Sequence, residues 1–168
     1  VHAAHPDVTI IWAPRHLDRL DDVEEMLDGA DLPWLRRSAL DETSAAPPPV
    51  ILLDTLGELA TLYGVADIAF VGATLVPLGG HNLLEPASHG VPVLFGPNTQ
   101  NVSTSADALL TFGGGNEVHD GIELAEAVIR LLNSPDERVR MGQAAATAVQ
   151  SGLGALERTI ALLARLGL

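Results

Sequence analysis

The chain of 168 residues contains no cysteine and no lysine, and all nine of its basic residues are arginines. Without cysteine, disulfides, thiolate metal sites and cysteine nucleophiles are excluded. The formal net charge of −13 at pH 7 argues against binding a nucleic-acid backbone, because that interaction needs clustered lysine and arginine side chains to displace counterions. Any anion site must therefore use arginine, backbone amides or helix ends.

Several common sequence signals are also missing. No apolar run approaches the roughly 18 to 20 residues that span a bilayer, and the first residues, Val1 to Pro6, lack the pattern of a signal peptide. We therefore expect the polypeptide as given to be soluble. There is no G-x-G-x-x-G fingerprint, no phosphate-loop lysine motif and no G-x-S-x-G elbow, so neither dinucleotide binding through such motifs nor serine nucleophile chemistry is indicated.

A metal site has little support in the sequence. The six histidines are scattered, no His-Glu-x-x-His motif occurs, and His81 with His89 lacks a third ligand at a useful spacing. No Asp-x-Asp pair offers itself to hold a divalent ion against a diphosphate. We therefore expect neither a metal nor another cofactor.

What the sequence does contain indicates an α/β fold in one domain spanning residues 1–168. Hydrophobic residues make up 47% of the chain, enough for a buried core. Short apolar runs alternate with helical patterns, which predicts a Rossmann-like parallel sheet flanked by helices. The predicted strands are 8–13, 32–37, 50–54, 68–72 and 91–95, and the predicted helices are 18–29, 56–63, 101–110 with serine caps at Ser103 and Ser105, 122–132, 136–150 and 157–166. Residues 41–49 are predicted to form a loop, the glycines at 113–115 to end a helix, and residues 8–13 to be buried on both faces of the sheet.

The segment from Gly79 to Pro86, which lies between two predicted strands, is the most informative part of the chain. Its two glycines allow the backbone to approach a ligand closely. Asn82 is expected to cap the following helix, and Glu85, three residues later, to complete a capping-box-like pair. Backbone N–H groups and the positive end of the helix would then face an anion. The alternative is a glycine turn that merely connects a strand to a helix.

Ligands of open α/β sheets bind beyond the carboxyl ends of the strands. Four segments follow predicted strands directly, and we expect them to converge on one crevice: 14–16, 54–55, 72–74 and 96–98. Arg15 is the strongest candidate for binding an anion, because its planar guanidinium can grip a phosphate or carboxylate with two hydrogen bonds. A surface salt bridge to Asp18 or Asp22 is the alternative role for Arg15. His16 is better suited to a hydrogen bond within its loop than to acid or base chemistry.

Taken together, these segments resemble the 3-deoxy-D-manno-octulosonic acid (Kdo) transferases, glycosyltransferases that build bacterial lipopolysaccharide. The segments that carry the resemblance have the same order and similar spacing in that family: 13–16 followed by Arg19, 54–59, 62–72, the glycine segment continued to 98–101, and Gly154 to Leu156. The resemblance covers nearly the whole chain. It is restricted, however, to the C-terminal, donor-binding half of such a GT-B enzyme.

The resemblance implies that the donor is CMP-Kdo, whose phosphate and carboxylate need two positive sites. Arg15 and the helix start after Gly80 would supply these sites, and Glu85 would accept hydrogen bonds from ribose hydroxyls unless it serves only as a helix cap. Asn98, Gln100 and Asn101 would touch the sugar or simply form a polar loop. The donor-binding residues predicted in this way are Pro14, Arg15, His16, Asp54, Thr55, Gly79, Gly80, His81, Asn82, Glu85 and Asn98.

The resemblance further implies an inverting, metal-independent transferase that acts on a lipid A precursor at the cytoplasmic face of the inner membrane. Electrostatic stabilisation of the phosphate would assist the departure of CMP. The general base, the acceptor site and any membrane contact are expected in an N-terminal region outside this chain, so we expect the chain alone to bind the donor weakly and to transfer nothing. Two alternatives stay open: another nucleotide-sugar enzyme, such as a UDP-sugar transferase or an epimerase, and a non-catalytic α/β binding remnant.

The same resemblance implies that the first strand of the sheet is missing. A sheet of order 3-2-1-4-5-6 without strand 1 has two unpaired strand edges at its centre. We expect those edges to pair with each other or with another chain, or the sequence to be part of a longer protein.

Overall fold

The computed structural model describes residues 1–30, 32–40 and 47–165, with side chains described as far as residue 152. The chain forms two compact units, Val1–Leu59 and Ala60–Leu168, which we call the N-terminal and the C-terminal unit. Helix α2 (Leu59–Tyr63) lies across the boundary in sequence. None of the helices in the described part of the chain combines the length and the apolar character needed to cross a membrane.

The N-terminal unit is a small parallel sheet with one helix. Its elements are β1 (Ile10–Trp12), α1 (Leu20–Gly29), β2 (Trp34–Arg36) and β3 (Val50–Leu52), with short 3₁₀ turns at Leu17–Arg19 and Arg37–Ala39. The strand order is β1-β3-β2, and Val50 is in register with Ile10 on one side and with Trp34 on the other. Leu27 of α1 packs with Val50 and Leu52 to form the core of this unit.

Two expectations about this sheet need correction. Strand β1 is not buried on both faces, because its residues Ile10, Ile11 and Trp12 are 37–38% exposed; in the described residues it has a partner strand on one side only. Strands β1 and β3 do pair with each other, one of the expected alternatives, but β2 lies beside β3 and not beside β1. Strand β3 takes the centre because it buries both Val50 and Leu52.

The C-terminal unit is a three-layer α/β structure. Its further elements are β4 (Ala69–Val71), α3 (Leu84–Ser88), β5 (Val93–Phe95), α4 (Ser103–Phe112), β6 (Gly115–Glu117), α5 (Gly121–Asn133) and α6 (Pro135–Arg165). The strands are parallel in the order β4-β5-β6. The central strand β5 is fully buried, and alternate residues point to opposite faces: Val93 and Phe95 pack with residues of α3, α4 and α6, whereas Leu94 packs with residues of α5 and with Met141. Parallel strands between helices confirm the predicted fold class.

The remaining differences from the sequence predictions are local. Strand β6 was not predicted, although Gly113, with φ +78°, ends α4 as expected. Val102, not a serine, is the N-cap residue of α4, since Ser103 already belongs to the first turn. The two helices predicted at 136–150 and 157–166 form one helix, α6, as far as the described residues reach, because single glycines cost a helix only about 1 kcal/mol and no proline follows them. The loop predicted at 41–49 lies largely outside the described residues.

Candidate functional site

The carboxyl ends of β4 and β5 are joined by the buried side chain of Thr74. Its hydroxyl donates a hydrogen bond to the carbonyl of Val71 at 2.7 Å and accepts one from the N–H of Gly96 at 2.8 Å. The Thr74 carbonyl in turn accepts hydrogen bonds from both the backbone and the side-chain amide of Asn98, at 2.9 and 3.0 Å. Because the hydroxyl and the carbonyl of Thr74 are both paired, these contacts make the strand ends a rigid frame. Asn98, predicted to bind the donor, uses its side-chain N–H within this frame.

The glycine pair, Gly79 and Gly80, packs against neighbouring loops of the protein. Gly79 and Gly80 are buried and have φ near +86°, a conformation that favours glycine. The N–H of Gly80 donates to the carbonyl of Ala73 at 2.9 Å, and the carbonyl of Gly79 accepts from the N–H of Asn101 at 3.0 Å. A Cβ at Gly79 would collide with the side chain of Asn101. The close approach predicted for a ligand is therefore used for packing between loops, and the N–H of Gly80 points into the protein.

Ala73 is the one non-glycine residue with positive φ, +61°, in the described part of the chain. The left-handed conformation costs an L-residue about 1–2 kcal/mol, so its surroundings must hold it in place. The bond from Gly80 to the Ala73 carbonyl and the neighbouring contacts of Thr74 do this. Such strain is common at functional sites, and here it lies directly beyond the carboxyl end of β4.

Asn82 and Glu85 do not form the predicted capping box. Asn82 accepts a hydrogen bond from the N–H of Leu84 at 3.0 Å, but the N-cap residue of α3 is Leu83 and the helix has only five residues. The aligned dipole of so short a helix is small. In the described residues no hydrogen bond or ion pair engages the half-buried carboxylate of Glu85, which leaves it available to hydroxyl donors. His81, just before Asn82, is half-buried.

Asp54 and Thr55, predicted donor ligands in the N-terminal unit, have partners within that unit. Asp54 accepts hydrogen bonds from the backbone N–H and the hydroxyl of Ser38, at 2.9 and 2.5 Å. Burial would raise the pKa of Asp54, but these two bonds and the charge of Arg36 lower it below its usual value. The Thr55 hydroxyl donates to the carboxylate of Glu58. Asp54 therefore joins the ends of β2 and β3, whereas Thr55 bonds within its own loop.

Arg15 lies on the exposed loop after β1, between half-buried Pro14 and exposed His16. The predicted alternative, a salt bridge to Asp18 or Asp22, is absent, because Asp22 pairs with Arg19 at 3.2 Å and no ion pair of Arg15 occurs among the described residues. Its guanidinium is thus open to an external anion. The candidate residues fall in both units, and the expectation that they share one crevice stays a prediction.

Two polar groups beyond the predicted residues also lie at strand ends. Arg37, after β2, pairs with Glu58 at 3.1 Å. His119, after β6, lies 2.9 Å from Glu123 and 3.4 Å from Glu117. The sequence signal for such residues is a polar side chain soon after a predicted strand. His119 lacks that signal, because the sequence does not predict β6. No group of three or more potential metal ligands occurs in the parts of the chain that the structure describes.

The chain was compared with protein families, curated proteins and solved structures. No family model matches the chain. It is 38% identical over 162 residues to the 3-deoxy-D-manno-octulosonic acid transferase of Haemophilus influenzae and 37% identical over 161 residues to that of Bordetella pertussis, covering 96% and 94% of this chain and 38% and 37% of those proteins. The chain therefore spans less than two fifths of the length of these curated relatives.

A solved structure gives the same answer for the fold. The crystal structure of the C-terminal CMP-Kdo binding domain of WaaA from Acinetobacter baumannii has a TM-score of 0.81 to this structure with 29% sequence identity. The match covers 89% of this chain and 77% of that domain. The resemblance first noted in the sequence motifs is thus confirmed by overall identity and by fold. The chain belongs to the 3-deoxy-D-manno-octulosonic acid transferase family and matches its C-terminal domain.

Proposed function

We propose that this chain binds the donor CMP-Kdo for an enzyme that transfers Kdo to a lipid A precursor in lipopolysaccharide biosynthesis. The observation that carries the proposal is the fold match to a domain described as binding CMP-Kdo, with a TM-score of 0.81 over 89% of this chain. The relatives named as Kdo transferases support the same assignment.

The donor offers three kinds of groups to the protein: ribose hydroxyls, a phosphate and a sugar carboxylate. Glu85 supplies an acceptor for the ribose hydroxyls, since its carboxylate has no hydrogen-bond partner in the described residues and ionised carboxylates only accept. Arg15 supplies a positive charge for one of the two anionic groups. Asn82 and His81 lie three and four residues before Glu85 in sequence and are assigned to the phosphate or the sugar.

Two other predicted residues, Asn98 and Asp54, support the donor site by holding the backbone in place. Asn98 anchors the Thr74 frame, and Asp54 joins the ends of β2 and β3. A frame that is rigid before the donor binds lowers the entropic cost of binding. It also fixes the charged groups of the site near the place where negative charge develops on the leaving phosphate.

In the proposed reaction, an acceptor hydroxyl attacks the anomeric carbon of Kdo with inversion while CMP leaves, and no metal takes part. Positive groups at the donor site stabilise the charge on the departing CMP. We assign the general base and the lipid A site to other parts of the enzyme, which acts at the cytoplasmic face of the inner membrane.

Calorimetric titration of the chain with CMP and with UDP tests the proposal. We expect CMP to bind more tightly than UDP, and we expect Glu85→Gln and Arg15→Ala each to weaken CMP binding about tenfold or more, the effect of losing a hydrogen bond to a charged group. Glu126→Gln and Arg140→Ala are matched controls, because both side chains are exposed and distant in sequence from the candidate residues. Preference for UDP would replace CMP-Kdo with another donor, and unchanged binding in both site variants would favour a non-catalytic remnant.

A further inference from the structure

Tyr63, the only tyrosine of the chain, lies beside the face of α3 that carries Glu85. His89, the C-cap residue of α3, follows Glu85 by four residues, the spacing at which side chains along a helix are neighbours. The ring of Tyr63 lies 6.5 Å from the ring of His89, centroid to centroid, at an interplanar angle of 37°. Gly64 also approaches His89, since a Cβ built on it would lie 3.7 Å from the Nδ1 atom. The end of α2 is thus packed against the Glu85 face of α3.

The side chain of Tyr63 is half-buried and senses the charge of Glu85. Burial raises the pKa of its phenol, and the negative charge of Glu85 raises it further. No hydrogen bond joins the two groups in the described residues. Glu85 therefore keeps its capacity to accept, and the Tyr63 hydroxyl keeps its capacity to donate, to a molecule placed between or beside them.

We propose that Tyr63 forms a wall of the nucleoside subsite next to Glu85. This inference rests on the proposed function, because it assumes that Glu85 takes the ribose hydroxyls. A nucleoside has hydroxyl donors on its ribose and flat apolar faces on its base and sugar. A carboxylate acceptor with an aromatic ring beside it matches both features, since aromatic side chains offer a stacking surface to any base. Tyr63 is thus a binding residue that also limits where the nucleoside lies relative to Glu85.

The arrangement of Tyr63 and Glu85 is testable without nucleotide. Because the chain has a single tyrosine, its phenolate absorbance in the near ultraviolet reports on Tyr63 alone. We expect the pKa of Tyr63 to lie above the ordinary value in the native chain and to fall in Glu85→Gln, where the negative charge is removed. Glu126→Gln should leave it unchanged. An unchanged Tyr63 titration in Glu85→Gln would overturn the inference at its first step.

Nucleotide binding tests the second step. We expect Tyr63→Ala to weaken CMP binding about tenfold, in line with the loss of one base–aromatic contact, and Tyr63→Phe, which keeps the ring, to weaken it only about threefold. Saturating CMP should also raise the pKa of Tyr63 in the native chain, because the bound nucleotide shields the phenol from water and brings a further negative charge. Phe112→Ala is the aromatic control and should bind CMP normally.

The outcomes separate the two proposals. If the native chain binds CMP and Glu85→Gln weakens it, while Tyr63→Ala binds normally or CMP leaves the Tyr63 titration unchanged, the subsite is wrong and the proposed function stands. If the native chain does not bind CMP at all, both fail. Should Tyr63→Ala not fold, as judged by circular dichroism, Tyr63→Phe and the titration with CMP decide the matter.

Discussion

The two units of this chain are both three-stranded parallel sheets, but they are buried to very different degrees. In the C-terminal unit the central strand β5 is completely buried, with helices on both faces of the sheet. In the N-terminal unit the residues of β1 are more than a third exposed, and the buried residues described are Leu27, Val50 and Leu52, which form one cluster, and Leu53. Sheets of the same size are therefore well buried in the C-terminal unit and only partly buried in the N-terminal unit.

This difference bears on the candidate donor residues. Glu85 and Asn82 belong to or adjoin a helix that packs on the buried sheet, through Leu83 and Ala87 in its core. Arg15 is on an exposed loop, and the described residues provide it with no partner. We therefore expect Arg15 to lose more side-chain freedom than Glu85 if each binds part of the donor.

The largest expected effect comes from overpacking the C-terminal unit with Gly114→Ala. A Cβ at Gly114 would overlap the backbone of Ala145 in α6, which is not free to yield. Overpacking of this kind costs about 1–3 kcal/mol and sometimes more, and we expect the upper end of that range. Denaturant unfolding followed by circular dichroism measures the loss.

The matched control for Gly114→Ala lies in the N-terminal unit. Gly29, the last residue of α1, has no atom within 4 Å of a Cβ built on it and no positive φ. Gly29→Ala should change the unfolding free energy by less than about 1 kcal/mol, and in the stabilising direction, because alanine lowers the entropy of the unfolded chain. Equal losses in the two variants would contradict the proposed contrast in packing.

A second comparison uses one hydroxyl from each unit. Thr74→Val removes the buried acceptor of the Gly96 N–H and should lower the unfolding free energy by about 1–3 kcal/mol. Thr55→Val removes a half-buried hydroxyl that donates to Glu58, and water can replace that bond, so we expect less than about 1 kcal/mol. If the two losses are equal, the Thr74 frame is not the rigid element that we describe.

Local structure was predictable from the sequence where a run of apolar residues marked it. Strands β1, β3, β4 and β5 were predicted because β-branched and other apolar residues form short continuous runs there. Strand β6 (Gly115–Glu117) contains no apolar residue, and it is a strand because it pairs with β5 and not because of its own composition. The place of β3 between β1 and β2 likewise depends on pairing between distant segments, which a local pattern does not specify.

The candidate site, too, was predictable only as far as local sequence patterns determine it. The pattern of the glycine pair predicted close backbone approach, and the approach exists, but towards Asn101, Val102 and Thr74. Whether a polar group faces a ligand or the protein depends on what lies opposite, so the partners of Asp54, Thr55 and Asn98 were not predictable. The neighbours of Tyr63 were equally hidden, since His89 and Glu85 come from another helix.

Acid should affect the N-terminal unit through Asp54. Its folded pKa is lower than its unfolded pKa, so its hydrogen bonds stabilise the fold above the unfolded pKa and that stabilisation is lost as pH falls through the folded pKa. We expect Ser38→Ala to raise the pKa of Asp54, measured by NMR titration of its carboxyl carbon, and to shift the acid limb of the stability curve to higher pH. An Asp54 titration that is the same in Ser38→Ala would assign the lowered pKa to the backbone N–H groups of Ser38 and Asp54 and to the charge of Arg36 instead of the Ser38 hydroxyl.

The smallest effect, in the C-terminal unit, is expected near neutral pH and comes from His119. Its hydrogen bond to Glu123, followed by the charges of Glu123, Glu117 and Asp120, raises the pKa of the imidazole above the ordinary value. A raised folded pKa means that this ion pair stabilises the fold fully below the unfolded pKa of histidine and is lost as pH rises through the folded pKa. Because His119 is exposed, the change is small, and NMR titration of the imidazole measures it better than unfolding does. Glu123→Gln should lower the pKa of His119, whereas Glu126→Gln should not. With Asp54 titrating in acid and His119 near neutral pH, the two units should respond to pH in separate ranges. A common titration range for Asp54 and His119 would disprove this separation.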